Sequence, residues 1–267
     1  MRIRLGYAHF SQKPIFSKFT RKSDESRFQN RPKVNFMIIL DNINLKFNET
    51  IVLENFSEQF AQGKINCILG PSGCGKTSLL NLLSTQFPRV SYVFQEDALI
   101  PQKTARQNLE IVLKSVYSKV DLNTTISKFL NLVELETAAN LYPHEMSGGM
   151  RQRLALARAF AYPSDILLMD EPFKALDISL KNNIIKSFLN LYKQDEKTTI
   201  FVTHDIDEAL LTGDFIHVYS HKPLTLQKKF SLQSDKLSRK IYDDEISQVK
   251  NDIYKETEKW AHLGLTT

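Results

Sequence analysis

The clearest chemistry in this sequence lies in eight consecutive residues, Gly70 to Thr77, which read GPSGCGKT. The run matches the pattern G-x-x-x-x-G-K-[ST], known as Walker A, at every position. Glycines let backbone N–H groups turn towards a phosphate, and the following helix adds the positive end of its dipole. Lys76 has the length to reach the β- and γ-phosphates, and the Thr77 hydroxyl is a ligand for Mg²⁺.

The flanking sequence decides whether this run is a nucleotide site or a glycine turn beside a chance lysine. An apolar run, Ile65–Leu69, precedes it and a helix-like stretch, Ser78–Leu83, follows it. This strand–loop–helix context is the one that the pattern requires, so we predict a nucleoside triphosphate site. The residues expected to contact the nucleotide here are Gly70, Pro71, Ser72, Gly73, Cys74, Gly75, Lys76, Thr77 and Ser78.

A second constellation follows the apolar run Ile166–Met169, which ends in Asp170 and Glu171. Alone, this pattern more often marks the end of a buried strand with solvated charges. With a complete Walker A upstream it is better interpreted as Walker B, because ligands bind at the carboxyl ends of parallel strands. Asp170 is then predicted to hold Mg²⁺ through water, and Glu171 to polarise the water that attacks the phosphate.

A third motif, Ser147-Gly148-Gly149, runs directly into a helix-like stretch. The ordinary interpretation is a serine N-cap with a glycine turn. The free N–H groups, the helix dipole and the serine hydroxyl also make an anion site. The sequence alone leaves both interpretations open.

The elements that must position these residues follow from hydrophobic periodicity. Residues 37–60 alternate as strands around a polar break at Asn48-Glu49, which predicts a small antiparallel hairpin. Between Thr104, a predicted N-cap, and Leu141 the apolar residues recur at helical spacing. This pattern predicts an inserted helical subdomain at about residues 96–150. Apolar residues at helical spacing near the end predict a helical tail at about residues 243–262.

The rest of the chain alternates between strand and helix. Short strands are predicted at Ser91–Phe94, Ile166–Met169 and Thr199–Thr203, and a helix from about Ser179 to Tyr192. This order predicts an α/β fold: a P-loop NTPase core with a mainly parallel sheet, an N-terminal antiparallel lobe and the helical insertion. Residues 37–267 would form one domain, since 267 residues suffice for one large core with a smaller lobe.

Charge is distributed unevenly along the chain. Residues 1–36 contain nine Lys or Arg and two Asp or Glu, a net charge of +7, whereas the remaining 26 basic and 28 acidic residues give −2. The basic charge is thus confined to one end, and we predict no nucleic-acid partner. Residues 1–36 have three open interpretations: a disordered basic arm on anionic lipid, an organellar targeting segment, or translated sequence upstream of the native start at Met37.

Cysteine content and hydropathy indicate the compartment. The two cysteines, Cys67 and Cys74, are too few for a disulfide framework, which fits a reduced, cytosolic setting. No apolar run approaches the ~20 residues of a membrane-spanning helix, so we expect the chain itself not to cross a bilayer.

The order of the motifs resembles the ATP-binding-cassette (ABC) ATPase family. Walker A is followed by a segment containing a glutamine, VFQED at 93–97, then by Ser-Gly-Gly, Walker B and His204 after a predicted strand. The resemblance covers residues 37 to about 225. Segments 93–101 and 202–211 look most like the nitrate/sulfonate/taurine type of bacterial importer.

The resemblance implies roles for residues that the motifs alone leave ambiguous. Phe47 would stack on adenine, Gln95 would sense Mg²⁺ and the γ-phosphate, and His204 would contact the γ-phosphate. Ser147, Gly148 and Gly149 would cap the ATP of a second subunit, and the segment Ala175-Leu176-Asp177 would join the two subunits. Taken alone, Phe47 would be a core residue and His204 a surface histidine.

The departures from the family pattern are few. Met150 stands where the family often has Gln, Lys174 stands where a small residue is commoner, and Gln102 replaces a Trp usual in the importer type. None of these changes removes a group with a direct chemical role.

The implied function is that of the ATP-hydrolysing subunit of a bacterial importer. It would use ATP and Mg²⁺, pair with a second copy, and bind two membrane permease subunits at the cytoplasmic face of the inner membrane. A solute-binding protein would be an indirect partner. An exporter subunit remains an alternative, as does a non-transport machine such as a DNA-repair ATPase or a tandem-cassette translation factor. Only one cassette is present, and the 71 residues from Lys76 to Ser147 show no sustained heptad.

Overall fold

An antiparallel hairpin begins the described part of the chain. The structure, a computed structural model, describes residues 38–87, 89–114, 117–174 and 177–261. Strands β1 (Ile38–Phe47) and β2 (Thr50–Phe60) pair with Ile38 opposite Phe60 and Phe47 opposite Thr50. The turn falls at Asn48 and Glu49, where Asn48 adopts a φ of 51° that asparagine tolerates well. The predicted hairpin and its polar break are confirmed.

A six-stranded sheet forms the centre of the molecule, in the order β4-β5-β6-β3-β7-β8. All neighbouring strands run parallel except β8, which is antiparallel to β7. The strands are β3 (Ile65–Leu69), β4 (Val90–Val93), β5 (Ile166–Asp170), β6 (Thr198–Thr203), β7 (Phe215–Tyr219) and β8 (Leu226–Ser231). Because β3, β5 and β6 are parallel neighbours, the residues that follow them meet at one edge of the sheet.

In the part of the chain that the structure describes, seven α-helices cover the sheet and form the insertion. They are α1 (Lys76–Gln86), α2 (Ala105–Leu113), α3 (Lys119–Leu132), α4 (Gly148–Ala161), α5 (Ile178–Gln194), α6 (Ile206–Thr212) and α7 (Asp244–Ala261). A 3₁₀ turn, Pro143–Glu145, precedes α4. Within the described residues, no helix combines the length and apolar character that crossing a membrane requires.

The central strands β3, β5, β6 and β7 each contribute to two apolar clusters, because alternate side chains point to opposite faces of the sheet. On β5, Ile166 and Leu168 pack with the hairpin and α1, whereas Leu167 and Met169 pack with the remaining helices. These strands are buried on both faces, as expected of a parallel sheet between two layers.

The fold class predicted from the sequence is confirmed: a mainly parallel sheet with an antiparallel N-terminal lobe and inserted helices. Thr104 caps α2 in a reciprocal capping box with Gln107, as its position indicated. The predictions for residues 1–37 and for Ala175 and Leu176 lie outside the described residues, as does residue 262 of the predicted tail.

Candidate functional site

The loop between β3 and α1 is shaped by two glycines with positive φ, Gly73 at 74° and Gly75 at 116°. A Cβ on Gly75 would lie 2.6 Å from Val52 Cγ1 of the hairpin, whereas a Cβ on Gly73 would have nothing within 4 Å. The loop therefore packs closely against β2 at Gly75 and is open at Gly73. Gly70 is close to the backbone of β7, where its added Cβ would lie 3.1 Å from Tyr219 O.

Lys76 lies across this loop. Its ammonium donates to the carbonyl of Gly70 at 2.7 Å and to that of Pro71 at 2.8 Å, and the residue is only 5% exposed. A buried ammonium requires acceptors, and here they are neutral carbonyls. Phosphate oxygens are stronger acceptors for an ammonium, so the loop and its lysine fit a phosphate group.

The remaining residues of the loop divide into exposed and buried. Ser72, Gly73 and Thr77 are exposed, whereas the Cys74 side chain is buried in the apolar cluster beneath the hairpin. Burial raises the pKa of the Cys74 thiol, the nearby Lys76 opposing it. Cys74 can thus offer a ligand its backbone N–H but not its thiol. Ser78, in the first turn of α1, is half-buried.

Asp170, the last residue of β5, lies within hydrogen-bonding reach of the Thr77 hydroxyl. Burial raises the pKa of Asp170, and the bond from Thr77 and the charge of Lys76 only partly oppose that rise. A hydroxyl and a carboxylate are the oxygen ligands that Mg²⁺ prefers, and a cation beside Asp170 would favour its ionised form. The donor set therefore fits Mg²⁺.

Glu171 follows directly, in a left-handed backbone with a φ of 45°. Its N–H donates to Val202 O at 2.9 Å, which ties it to β6. Oε1 lies 3.2 Å from His204 Nδ1, and Oε2 lies 2.7 Å from the Lys174 ammonium. Burial tends to raise the pKa of Glu171, but Lys174 and His204 outweigh it and the pKa is lowered. The carboxylate is ionised at neutral pH, as a general base must be.

His204 is held near Glu171 by the start of α6. It follows the last residue of β6, and Asp205 next to it caps α6 by accepting from the N–H groups of Asp207 and Glu208. Lys181 of α5 binds Asp205 at 2.6 Å and Glu208 at 2.8 Å. These contacts connect the position of His204 to α5.

The Ser-Gly-Gly motif lies at the start of α4. Ser147 is the N-cap and accepts from Met150 N at 3.3 Å. Gly148 is exposed, but Gly149 is buried, and a Cβ there would lie 2.3 Å from Leu180 Cδ1. Gly149 thus permits close packing of α4 against α5, a reason for glycine that is independent of any ligand. Gln152 of α4 donates to Pro172 O, immediately after Glu171.

Three other predicted residues lie at exposed positions. Phe47 ends β1 and is 47% exposed, Gln95 follows β4, and Asp177 caps α5 by accepting from Leu180 N at 2.9 Å. Among the described hydrogen bonds and ion pairs, none joins Phe47, Gln95, Ser147 or Asp177 to the phosphate loop.

The structure also brings in residues to which the motifs assign no role. Lys174 pairs with Glu171, and Lys181 binds the first residues of α6. His221 and Lys222, after β7, line a cleft of about 240 Å³ against the phosphate loop. Of these four residues, only Lys174 was singled out by the sequence, because it departs from the family pattern.

Comparison with known proteins identifies the family. A profile described as ABC transporter matches residues 53–89 and 86–174. The chain is 37% identical over 207 residues to a sulfate/thiosulfate import ATP-binding protein of Mannheimia succiniciproducens, covering 68% of this chain and 58% of that protein. It is 36% identical to a nitrate import ATP-binding protein of Synechococcus elongatus, covering 65% of this chain and 29% of that protein. The chain thus spans less than two thirds of these two relatives.

A third relative is similar over more of its own length. The chain is 36% identical to an aliphatic sulfonates import ATP-binding protein of Bacillus cereus, covering 66% of this chain and 77% of that protein. The dimeric structure of a bacterial ABC transporter cassette matches with a TM-score of 0.63 and 28% identity, over 75% of this chain and all of the cassette. A structure of the same cassette in a post-hydrolysis state, bound to ADP and Pi, matches equally well. With its motifs arranged on this fold, the chain belongs to the ABC transporter family.

Proposed function

We propose that this chain is the ATP-hydrolysing subunit of a bacterial ABC importer for a small solute, of the nitrate/sulfonate/taurine type or a related one. One observation carries the proposal: Glu171, ionised and held beside His204, directly follows Asp170, which lies close to Thr77 of the phosphate loop. One edge of the sheet thus carries a candidate base, two candidate ligands for a metal and a lysine that can bind phosphate. This set of groups is the one that hydrolysis of a phosphoanhydride requires. The relatives named for sulfate, nitrate and sulfonate import support the solute class.

The residues would share the reaction as follows. Lys76 and the loop N–H groups bind the β- and γ-phosphates, and Thr77 and Asp170, with Gln95, hold Mg²⁺. The metal neutralises charge on the phosphates when bound. Glu171 accepts the proton of the attacking water, and His204 donates to the γ-phosphate.

The ATP would lie between two copies of the chain. Phe47 provides an exposed ring for adenine, and Ser147, Gly148 and Gly149 face the γ-phosphate bound to the other copy. Asp177 lies at the contact between copies. The dimeric cassette among the similar structures supports this arrangement. Two permease subunits and a solute-binding protein would complete the importer at the cytoplasmic face of the inner membrane, with residues 37–267 as the ATPase domain.

Replacing the proposed base provides the test. Glu171→Gln keeps the side-chain shape but removes the base, so we expect steady-state hydrolysis to fall by roughly 10²-fold or more while ATP affinity stays near that of the parent. ATP should then trap a dimer. The measurements are phosphate release, equilibrium ATP binding and sedimentation in the presence of ATP.

A matched control is Glu134→Gln, in which the replaced carboxylate is 77% exposed and pairs with Arg153. This variant should hydrolyse ATP like the parent. Hydrolysis by Glu171→Gln within a few-fold of the parent would show that another group is the base.

A further inference from the structure

Lys174 is the one departure from the family pattern that touches the proposed base. Its ammonium lies 2.7 Å from Glu171 Oε2, and its N–H donates to Glu171 O at 3.2 Å. The backbone turn and the ion pair join the same two residues. A small residue at position 174, the commoner choice in the family, could form the turn but not the ion pair.

This contact leaves the Glu171 carboxylate engaged at both oxygens. Oε1 lies beside His204 Nδ1 and Oε2 beside Lys174. The Glu171 side chain is 13% exposed, so the carboxylate has little access to bulk water, whereas Lys174 is 44% exposed and is free to leave. A carboxylate with an ammonium at one oxygen and an imidazole at the other is held in one orientation and has little room for a water molecule.

The position of Lys174 connects this pair to the contact between subunits. It lies three residues before Asp177, the exposed N-cap of α5 that is proposed to lie at the contact between copies. A second subunit that contacts Asp177 would therefore approach the exposed Lys174 side chain.

We propose that Lys174 is a positioning residue that restrains Glu171 in the separated subunit, and that closure of the ATP-bound dimer breaks the Lys174–Glu171 pair. Closure then carries the cost of breaking the pair, and Glu171 becomes available to water only when two subunits meet. This inference rests on the proposed function, because it assigns Glu171 as the base and a second copy as the partner.

Dimer formation with a non-hydrolysable ATP analogue and Mg²⁺ tests the restraint without relying on hydrolysis. Lys174→Gln removes the charge at similar length, and we expect half-maximal dimer at about a two- to fivefold lower analogue concentration, the range of a partly exposed ion pair. Lys174→Arg keeps the charge and should behave like the parent. The measurement is sedimentation of the full chain across an analogue titration.

A double-mutant cycle decides whether the effect passes through Glu171. In a Glu171→Gln background the ion pair is already absent, so Lys174→Gln should shift the titration no further. Lys174→Gln could instead shift the titration equally in both backgrounds, or shift it towards higher analogue concentration. Either result would mean that Lys174 acts by contacting the nucleotide or the second subunit, and would overturn the restraint.

Steady-state hydrolysis provides a second readout. Lys174→Gln should lower the KM for ATP by about the same two- to fivefold and leave kcat near that of the parent, because the pair is already broken in both proteins at saturating ATP, and an unchanged KM would overturn the restraint. Failure of the proposed function is recognised separately, because Glu171→Gln would then hydrolyse ATP whatever residue occupies position 174.

Discussion

At the scale of single residues, two glycines of the phosphate loop share a positive φ but differ in what surrounds them. Gly75 would place a Cβ 2.6 Å from Val52 Cγ1, and Gly73 would place one in open space. Gly75→Ala should lower the free energy of unfolding by roughly 2–4 kcal/mol, from backbone strain and overlap together. Gly73→Ala carries the strain alone, about 1–2 kcal/mol. Urea denaturation of both variants provides the measurement.

The same two variants are also expected to differ in their affinity for ATP. Gly75→Ala should weaken ATP binding because the overlap displaces the loop from the hairpin, whereas Gly73→Ala should bind more nearly like the parent. Equal losses of stability in the two variants would show that contact with Val52 is unimportant.

The sequence allowed residues of the candidate site to be placed together where their position follows from order along the chain. Asp170 ends a buried strand and Glu171 follows it, so their place at the sheet edge was predictable. The burial of the Cys74 thiol was not predictable, and neither was the Lys174–Glu171 ion pair. Both depend on how the segments after β3 and β5 pack in three dimensions. Lys181 is distant from His204 in sequence, and only the folded α5 brings it to α6.

At the scale of elements, a buried carboxylate connects the hairpin to the central sheet. Glu58 of β2 accepts from Tyr219 Oη of β7 at 2.6 Å and from Gln59 N at 2.7 Å. His217 Nδ1 lies 3.2 Å from Glu58. Burial lowers the pKa of His217, so the imidazole is neutral at pH 7. The lobe that carries Phe47 is thus held to the sheet by polar contacts as well as apolar packing.

This cluster predicts a pH-dependent contribution to stability. Burial tends to raise the pKa of Glu58, but the contacts with His217, Tyr219 and Gln59 lower it from 4.5 to about 2. Because the folded pKa is depressed, the contribution is complete above pH 4.5 and is lost as the pH falls towards 2. Glu58→Gln should therefore lower the free energy of unfolding by up to about 3 kcal/mol at pH 7, and by less at pH 3.5.

Glu54→Gln on the same strand is the control, since Glu54 is exposed and its loss should change stability by less than about 0.5 kcal/mol. Urea denaturation at pH 7 and pH 3.5 gives the comparison. A destabilisation by Glu58→Gln that is the same at both pH values would show that the charge of Glu58 is not what stabilises the lobe.

The elements found by periodicity were those with a strong local pattern. The hairpin, the predicted strands, α5 and α7 lie within a few residues of their predicted bounds, whereas α2 and α3 were predicted only as one helical region. Helix α6, with seven residues, is too short for a clear period, and β8 has one buried position among six because it lies at the sheet edge. Strand β7 has four apolar or aromatic residues and His217, and only Gly213 and Asp214 separate it from α6, so no long break marks where the strand begins.

At the scale of the whole molecule, the helix N-terminus at Ser147 is exposed, and no described hydrogen bond or ion pair joins Ser147 to the chain's own phosphate loop. An anion site without a ligand from its own chain fits a site completed by a second copy. The dimeric cassette that this fold resembles supports such an assembly. Two copies related by symmetry would then form two sites, each with one Lys76 and one Ser147.

Complementation between two inactive variants tests the shared site. Ser147→Arg fills the N-terminus of α4 with a bulky side chain, so ATP should bind but the dimer should not close. Lys76→Ala removes the phosphate ammonium and should bind ATP weakly. A mixed dimer has one intact site, formed by the phosphate loop of the Ser147→Arg chain and the Ser147 of the Lys76→Ala chain. Partial hydrolysis should therefore return on mixing, up to about half of the parent rate per dimer, if the two sites act independently.

The experiment is informative only if mixed dimers form, so each variant carries a different label and mixed dimers are counted by energy transfer between the labels. Running the assay with the permease subunits present favours pairing of weakly associating chains. Two copies of either variant alone remain inactive because every site in them lacks the same group. Mixed dimers without hydrolysis would mean that Ser147 serves its own chain, which would remove the second copy from the proposed mechanism while leaving the assignment of Glu171 intact.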